Sequence, residues 1–202
     1  MSTLVRPSFP KTRPIAWEVF AICSVTIILC ACSKKSAEQV PIIAQLPAPS
    51  LVDQDRQVFE REAMEGKLWV TSFLFTHCRA TCPRLMAQMK KLQGRVSNVP
   101  SAQLLSVSVD PQNDTPEVIK AYMRRNGFDE SNWRFVTGDE NAVQDFVVGG
   151  FKVGYGQTRW STELTHPNSL ALVDDLGRIR GYYRSDDEGL AELERDLRAI
   201  AP

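Results

Sequence analysis

Histidine and cysteine are scarce in this sequence. Its 202 residues hold two histidines, His77 and His166, and five cysteines, of which Cys23, Cys30 and Cys32 fall in or just after an apolar N-terminal run. Past that run only Cys78 and Cys82 remain. One pair cannot build a disulfide scaffold, so the body must fold on its core, and the pair is available for chemistry. A net charge is also lacking: 24 Lys and Arg balance 24 Asp and Glu. This leaves none of the basic excess that a nucleic-acid-binding face needs. Beyond residue 31 the chain carries 21 basic and 23 acidic residues, so no partner is legible from overall charge. The body holds no internal repeat and no low-complexity tract. What is present is the composition of a soluble globular protein, 43% hydrophobic and 24% charged, long enough for one domain with additions.

The N-terminus reads as an address. Arg6, Lys11 and Arg13 precede the apolar run from Phe20 to Cys32, the order of a secretory signal. Leu29-Cys30-Ala31-Cys32 is similar to a bacterial lipobox, which would make Cys32 the lipidated first residue of the mature chain. The other reading is an uncleaved helix: Ile15 to Ala31 spans 17 residues interrupted by Glu18, at the lower limit for crossing a bilayer. Both readings tether the body, by a lipid anchor or an N-terminal helix, to the extracytoplasmic (periplasmic) face of a bacterial membrane. Residues 32–52, polar and then proline-rich through Pro41, Pro47 and Pro49, read as a tether, leaving 53–202 as the folded domain.

Along the body, Lys67 to Thr76 (KLWVTSFLFT) is a nearly continuous apolar and β-branched run, as expected of a central strand buried on both faces. The cysteine pair follows, then a helix from Pro83 with Leu85, Met86, Met89 and Leu92 at helical spacing and Gly94 suited to its end. Leu104 to Val109 reads as a second strand. Asp110 to Glu117 reads as a turn into a helix, with Asp114 and Glu117 as a capping box, Pro116 in the first turn, and Val118, Ile119, Tyr122 and Met123 on the apolar face. A short strand at Trp133–Val136, a short helix at Asn141–Val148 and a long loop from Gly149 to Thr165 come next. Asp174-Asp-Leu-Gly177 sits between two strand-like runs as a hairpin turn, and Leu190, Leu193, Leu197 and Ile200 mark a last helix. This order predicts an α/β fold, a thioredoxin-like sheet with flanking helices, because a strand runs straight into a cysteine pair at a helix N-terminus.

Redox thioredoxins separate their cysteines by two residues; here Arg79, Ala80 and Thr81 intervene. On a helix, positions four apart share a face, so two thiolates could converge on one ion. A helix N-terminus would lower thiol pKa and favour the ligand form. Two soft sulfurs with an imidazole suit copper as Cu(I) or Cu(II), while structural zinc usually takes four ligands and no other cysteine is available. A plain Cys78–Cys82 disulfide remains an equal reading of the spacing alone, and His166 by itself reads as an ordinary loop histidine. His77 is restricted by its adjacency to Cys78 and fits a supporting place beside the site. Asp114 reads first as a helix cap and Asp110 as a residue that fixes the turn.

Three segments together carry a resemblance. Phe73-Leu-Phe-Thr-His-Cys-Arg-Ala-Thr-Cys-Pro83 resembles the F-x-F-T-x-C-x-x-x-C-P segment of the SCO/SenC family of copper chaperones. Ser106 to Glu117 is similar to that family's V-D-P-x-x-D-T-P stretch, and Tyr122 follows in the next helix. Thr165-His-Pro-Asn-Ser-Leu-Ala-Leu-Val-Asp174 occupies the place of the family's metal-binding histidine. The resemblance spans about residues 46–200. It implies that Cys78, Cys82 and His166 ligate copper and that the Gly149–Thr165 loop brings the histidine to the cysteines, and it allows Asp110 or Asp114 to lie near the metal. It further implies delivery of copper to the dinuclear copper centre of cytochrome c oxidase, or reduction of that centre's cysteines, with that enzyme's copper-bearing subunit and a thioredoxin-like reductant as partners. The chain departs from the family at Arg79 and Ala80, where a proline and often an acidic residue usually stand, so a positive charge sits beside the site.

The alternative is a thiol–disulfide oxidoreductase using Cys78 and Cys82 as its redox pair. Such enzymes place a cis-proline opposite their cysteines; here that position falls on Asn168, with Pro167 one residue early, which favours metal over mixed-disulfide chemistry. A peroxiredoxin fits less well, because its reactive cysteine has no need of a second one four positions on.

Overall fold

The structure is a computed structural model that describes residues 36–79, 81–154 and 168–202, and the backbone of 156–158 and 161–165. The expected signal segment 1–31, the lipidation candidate Cys32 and His166 lie outside the described residues.

The fold is organised by β4 (Leu68–Leu74), in which every residue is buried. Successive side chains of a strand point to opposite faces, and here both faces are covered. Leu68, Val70 and Leu74 enter one core cluster with Leu85, Met89 and Leu92, while Trp69 and Phe73 enter the other with Phe146 and Phe151. A strand buried on both sides cannot alternate apolar with polar, which explains its continuous run in the sequence. The chain passes through α2 (Cys82–Arg95) to β5 (Ala102–Ser108), which pairs parallel with β4 from Leu68↔Ala102 to Leu74↔Ser108. After α3 (Pro116–Asn126), β6 (Trp133–Thr137) adds parallel to β5.

On the other side of β4 lies β9 (Ser169–Val173), antiparallel, and beyond it β10 (Arg178–Arg184); the last helix, α5 (Asp187–Ile200), packs on the α2 face. Asp174 builds the β9–β10 turn by accepting from the amides of Leu176 and Arg178 and from the guanidiniums of Arg178 and Arg180, while Gly177 supplies the positive φ of 73°. A parallel strand–helix–strand unit followed by an antiparallel hairpin and a helix is a thioredoxin-like sheet with flanking helices, as the element order predicted.

Five local expectations are revised. The proline-rich stretch joins the domain well before residue 53: β1 (Ala44–Gln45) pairs with β10, β2 (Leu51–Asp53) pairs with β6 and with β3 (Val58–Phe59), which is followed by the short helix α1 (Arg61–Met64), and Val40 and Leu46 are buried. Its apolar residues, spaced between prolines, find a sheet edge to cover. Gly94 lies inside α2 rather than at its end. Thr115, and not Asp114, caps α3, its hydroxyl accepting from the amide of Val118. Within the expected loop at Gly149–Thr165, the backbone forms a hairpin of β7 (Gly156–Thr158) and β8 (Ser161–Thr165). The short helix expected at Asn141–Val148 is α4 (Glu140–Gln144) running on into a π-helical turn at Asp145–Gly150.

Candidate metal centre

The two cysteines stand where β4 ends. After the buried strand and Phe75, the chain turns at Thr76 and His77, and the amide of Cys78 donates to the carbonyl of Phe75 at 3.2 Å. Helix α2 starts at Cys82, with Pro83 in its first turn, where a missing N–H costs nothing. Cys78 therefore lies in the loop before the helix, not one helical turn along it. The pair still meets, because the amide of Cys82 donates to the sulfur of Cys78 at 3.4 Å. The Thr81 hydroxyl lies 3.9 Å from the same sulfur.

Their surroundings differ. Cys78 is half-buried, whereas Cys82 is buried in the core cluster. Burial pushes the Cys82 thiol well above its ordinary pKa, and its hydrogen bond to Cys78 adds to the rise. The expectation that the helix N-terminus would favour the thiolate fails for Cys82: loss of hydration outweighs the dipole for a sulfur sealed beneath the first turn. An ion binding there must displace a proton. Tyr122 on α3 is also buried, and its phenol is pushed up to about 12 by burial and by the two nearby cysteines.

The carboxylates have distinct places. Asp114 is buried and pins the strand end behind the cysteines. It accepts from the Thr76 amide at 3.0 Å, the Thr76 hydroxyl at 2.5 Å and the Ser108 hydroxyl at 2.6 Å. Burial raises its pKa despite these bonds. Asp110 accepts from the side chain of Asn113 and faces His77, with Nδ1 and the carboxylate 3.5 Å apart. The His77 ring packs on Phe75 at 4.8 Å and lies largely in solvent. Thr76 and Ser108, which hold Asp114, went unnoticed in the sequence reading. Nothing in the sequence marks them, because the burial of Asp114 that gives their hydroxyls a partner arises only in the fold.

The described residues thus bring Cys78, Cys82, His77, Asp110 and Asp114 to one end of β4 and β5. The antiparallel pairing of β9 with β4 runs the chain before Ser169 toward that same end, and Asn168 and Ser169 border a cavity of about 710 Å³ with Thr81, Arg84 and Leu85. Two cysteines in hydrogen-bond contact through the Cys82 amide offer a soft donor pair, able to hold a thiophilic ion or to close to a disulfide.

Comparison with known proteins agrees with this architecture. The SCO1/SenC family model matches residues 47–201. A SCO1/SenC family lipoprotein from Bacillus anthracis is 29% identical and superposes with a TM-score of 0.71 over 79% of this chain and 96% of its own. Two more distant structures share the fold. BsSco, a member of the Sco family of cytochrome c oxidase assembly proteins in which a disulfide switch was identified, is 24% identical, with a TM-score of 0.70 over 80% of this chain and 95% of its own. ScoI of Bradyrhizobium japonicum, with copper bound, is 21% identical, with a TM-score of 0.61 over 76% of this chain and all of its own. With its family match running from the second strand through the last helix, and with the paired cysteines at the end of the central strand, the chain belongs to the SCO1/SenC family.

Proposed function

We propose that this chain is a membrane-anchored, extracytoplasmic copper chaperone in which Cys78, Cys82 and His166 bind one copper ion. Its task is delivery to, or assembly of, the dinuclear copper centre of cytochrome c oxidase. The observation that carries the reading is the contact between the two cysteines, in which the Cys82 amide donates to the Cys78 sulfur at the end of a fully buried strand. Soft sulfur donors select copper, and a rigid support fixes their separation before the ion arrives. The course of β9 toward the same end of the sheet supports His166 as the third ligand, since Asn168, two residues on, borders a cavity with the first turn of α2. Membership of the family supports cytochrome c oxidase, through its copper-bearing subunit, as the recipient.

The basic and apolar N-terminal segment supports export, with Cys32 as the lipid-bearing residue, residues 32–39 as the tether and the folded domain beyond it. Copper titration of the reduced full chain in detergent tests the site. One equivalent per chain is expected, with a charge-transfer band for Cu(II)–thiolate. Loss of the band in Cys78→Ala, Cys82→Ala and His166→Ala is the supporting result, and full retention in any of the three counts against that ligand.

A second reading rests on the unequal burial of the pair. In a thiol–disulfide exchange, the more accessible Cys78 thiolate attacks a partner disulfide, releasing one partner thiolate. Cys82 then loses its proton and displaces the second, so that two electrons pass to the partner and a Cys78–Cys82 disulfide remains. A thioredoxin-like reductant would restore the pair. Turnover of a disulfide substrate by protein that takes up no copper would favour this reading over the chaperone.

A further inference from the structure

Three cations flank one groove, and among the described residues no carboxylate lines it. Helices α2 and α3 leave between them a cleft of about 830 Å³ that reaches Cys78. Met86, Val118, Tyr122 and Phe128 give it an apolar floor, and Val118 is 41% exposed there. Arg79, Lys90 and Arg125 line the same cleft with their side chains in solvent. Lys90 donates to the carbonyl of Gly127 at 3.1 Å, and Arg125 lies over the ring of Tyr122 at 5.7 Å. Among the described residues none of the three meets a carboxylate, whereas Arg56 pairs with Glu117, Lys91 with Asp187 and Arg198 with Glu194. In a chain whose charges balance at 24 of each sign, this is a local excess placed beside the more accessible cysteine.

The reach of the cleft, from Arg79 just before α2 to Lys90 two turns into it, selects the class of ligand. Lys90 stands eight residues beyond Cys82 on α2, about 12 Å along the helix axis. A single small anion cannot span that distance, whereas an extended peptide covers it in about four residues. The apolar floor between the cations accepts a side chain that an inorganic anion lacks. We propose that the groove docks an acidic, extended segment of the partner protein that exchanges metal or electrons with Cys78. Carboxylates of that segment meet Arg79, Lys90 and Arg125, and an intervening apolar side chain rests on Tyr122 and Phe128. This inference rests on the reading of Cys78 as the exchange site. It also gives Arg79 a role: complementary charge steers encounter and fixes orientation more than it adds affinity.

The test uses the full chain in a neutral detergent and fluorescein-labelled peptides Glu-Leu-Glu-Phe-Glu and Gln-Leu-Gln-Phe-Gln, read by fluorescence polarisation. At low ionic strength the acidic peptide is expected to bind at least about tenfold more tightly than the neutral one. That preference should fall as salt shortens the screening length to about 3 Å near 1 M. The variant Lys90→Glu/Arg125→Glu should lose the preference. Arg125→Glu alone keeps the Lys90–Gly127 bond, should lose part of the preference, and guards against a folding defect in the double variant. Equal binding of the two peptides, unchanged binding by both variants, or displacement of the acidic peptide by equimolar inorganic phosphate would overturn the proposal. Copper titration of the same variants separates the two readings. Normal copper uptake without peptide preference in the wild-type chain rejects the groove alone, and peptide preference without copper uptake rejects the metal site alone.

Discussion

The backbone N–H of Cys82 points at the sulfur of Cys78 across 3.4 Å, so the first amide of α2 serves its partner cysteine instead of solvent. That one contact makes the pair unequal. Cys78 accepts a hydrogen bond and is half-buried, while Cys82 lies inside the core with its thiol held in the protonated form.

Alkylation should reveal the inequality directly. A thiol reacts through its thiolate and only where reagent can reach it. With reduced protein near neutral pH, iodoacetamide is expected to modify Cys78 first, and Cys82 at least about a hundredfold more slowly, its rate set by opening of the first turn of α2. Peptide mass mapping over time checks this. Equal rates at the two positions would mean that Cys82 is not sealed as the fold places it.

Stability should carry the same signature at alkaline pH. Burial raises the pKa of Cys82 in the folded protein above that of the unfolded thiol, near 8.5. Below that value both states hold the proton and the group is neutral to stability. Above it the unfolded chain releases a proton that the folded chain keeps, so unfolding becomes easier as pH rises. The expected loss attributable to Cys82 is about 1 kcal/mol by about pH 9.5, measured by denaturant titration of metal-free, reduced protein. Cys82→Ala should flatten this part of the profile; a profile that the substitution leaves unchanged would assign the loss to other groups.

Asp114 should matter for folding more than its place in a turn suggests. Its carboxylate takes the amide and hydroxyl of Thr76 and the hydroxyl of Ser108, all at the C-terminal ends of β4 and β5. Asp114→Ala strands these donors in a buried site and is expected to cost about 3 kcal/mol. Asp114→Asn should cost less, about 1 kcal/mol, because the two hydroxyls can turn to accept from the new amide. Chemical denaturation of the two variants checks the order, and an alanine variant as stable as wild type would refute the bracing role.

Much of this arrangement was legible beforehand, for physical reasons. Leu68–Leu74 is buried on both faces, so its apolar run announced a central strand, and the helical spacing of Leu85, Met86, Met89 and Leu92 announced the face of α2 that covers it. The capping of α3 was misplaced by one residue. Asp114 and Thr115 are both good cap residues, and only the fold shows Asp114 turned inward to Thr76. The docking of residues 44–53 was hidden because short strands between prolines lack the length for a period, and their pairing partners lie far along the chain in β10 and β6. The protonated state of Cys82 was hidden for a different reason. Spacing places a cysteine at a helix N-terminus, but burial is a tertiary property, and here it overrides the helix dipole.

The last prediction concerns the C-terminal helix, which covers the α2 face. Replacing glycine by alanine inside a helix ordinarily stabilises it by about 1 kcal/mol. Gly189, in the first turn of α5, should behave in the opposite way. Its amide donates to the side chain of the N-cap Asp186, and the chain entering from β10 passes so close that a Cβ would stand 2.1 Å from the carbonyl oxygen of Arg184. The obstacle is backbone, which no rotamer change can move. Gly189→Ala must therefore displace the β10–α5 connection and loosen Leu190, Leu193 and Leu197 from the core cluster they share with α2. A loss of about 2–3 kcal/mol is expected, in the range of an overpacked core position. Thermal melts of the variant beside Ala191→Gly on the exposed side of the same helix separate the two effects, since the control should lose only the intrinsic propensity of about 1 kcal/mol. A Gly189→Ala protein that melts at or above the wild-type temperature would show that the connection can move aside without cost.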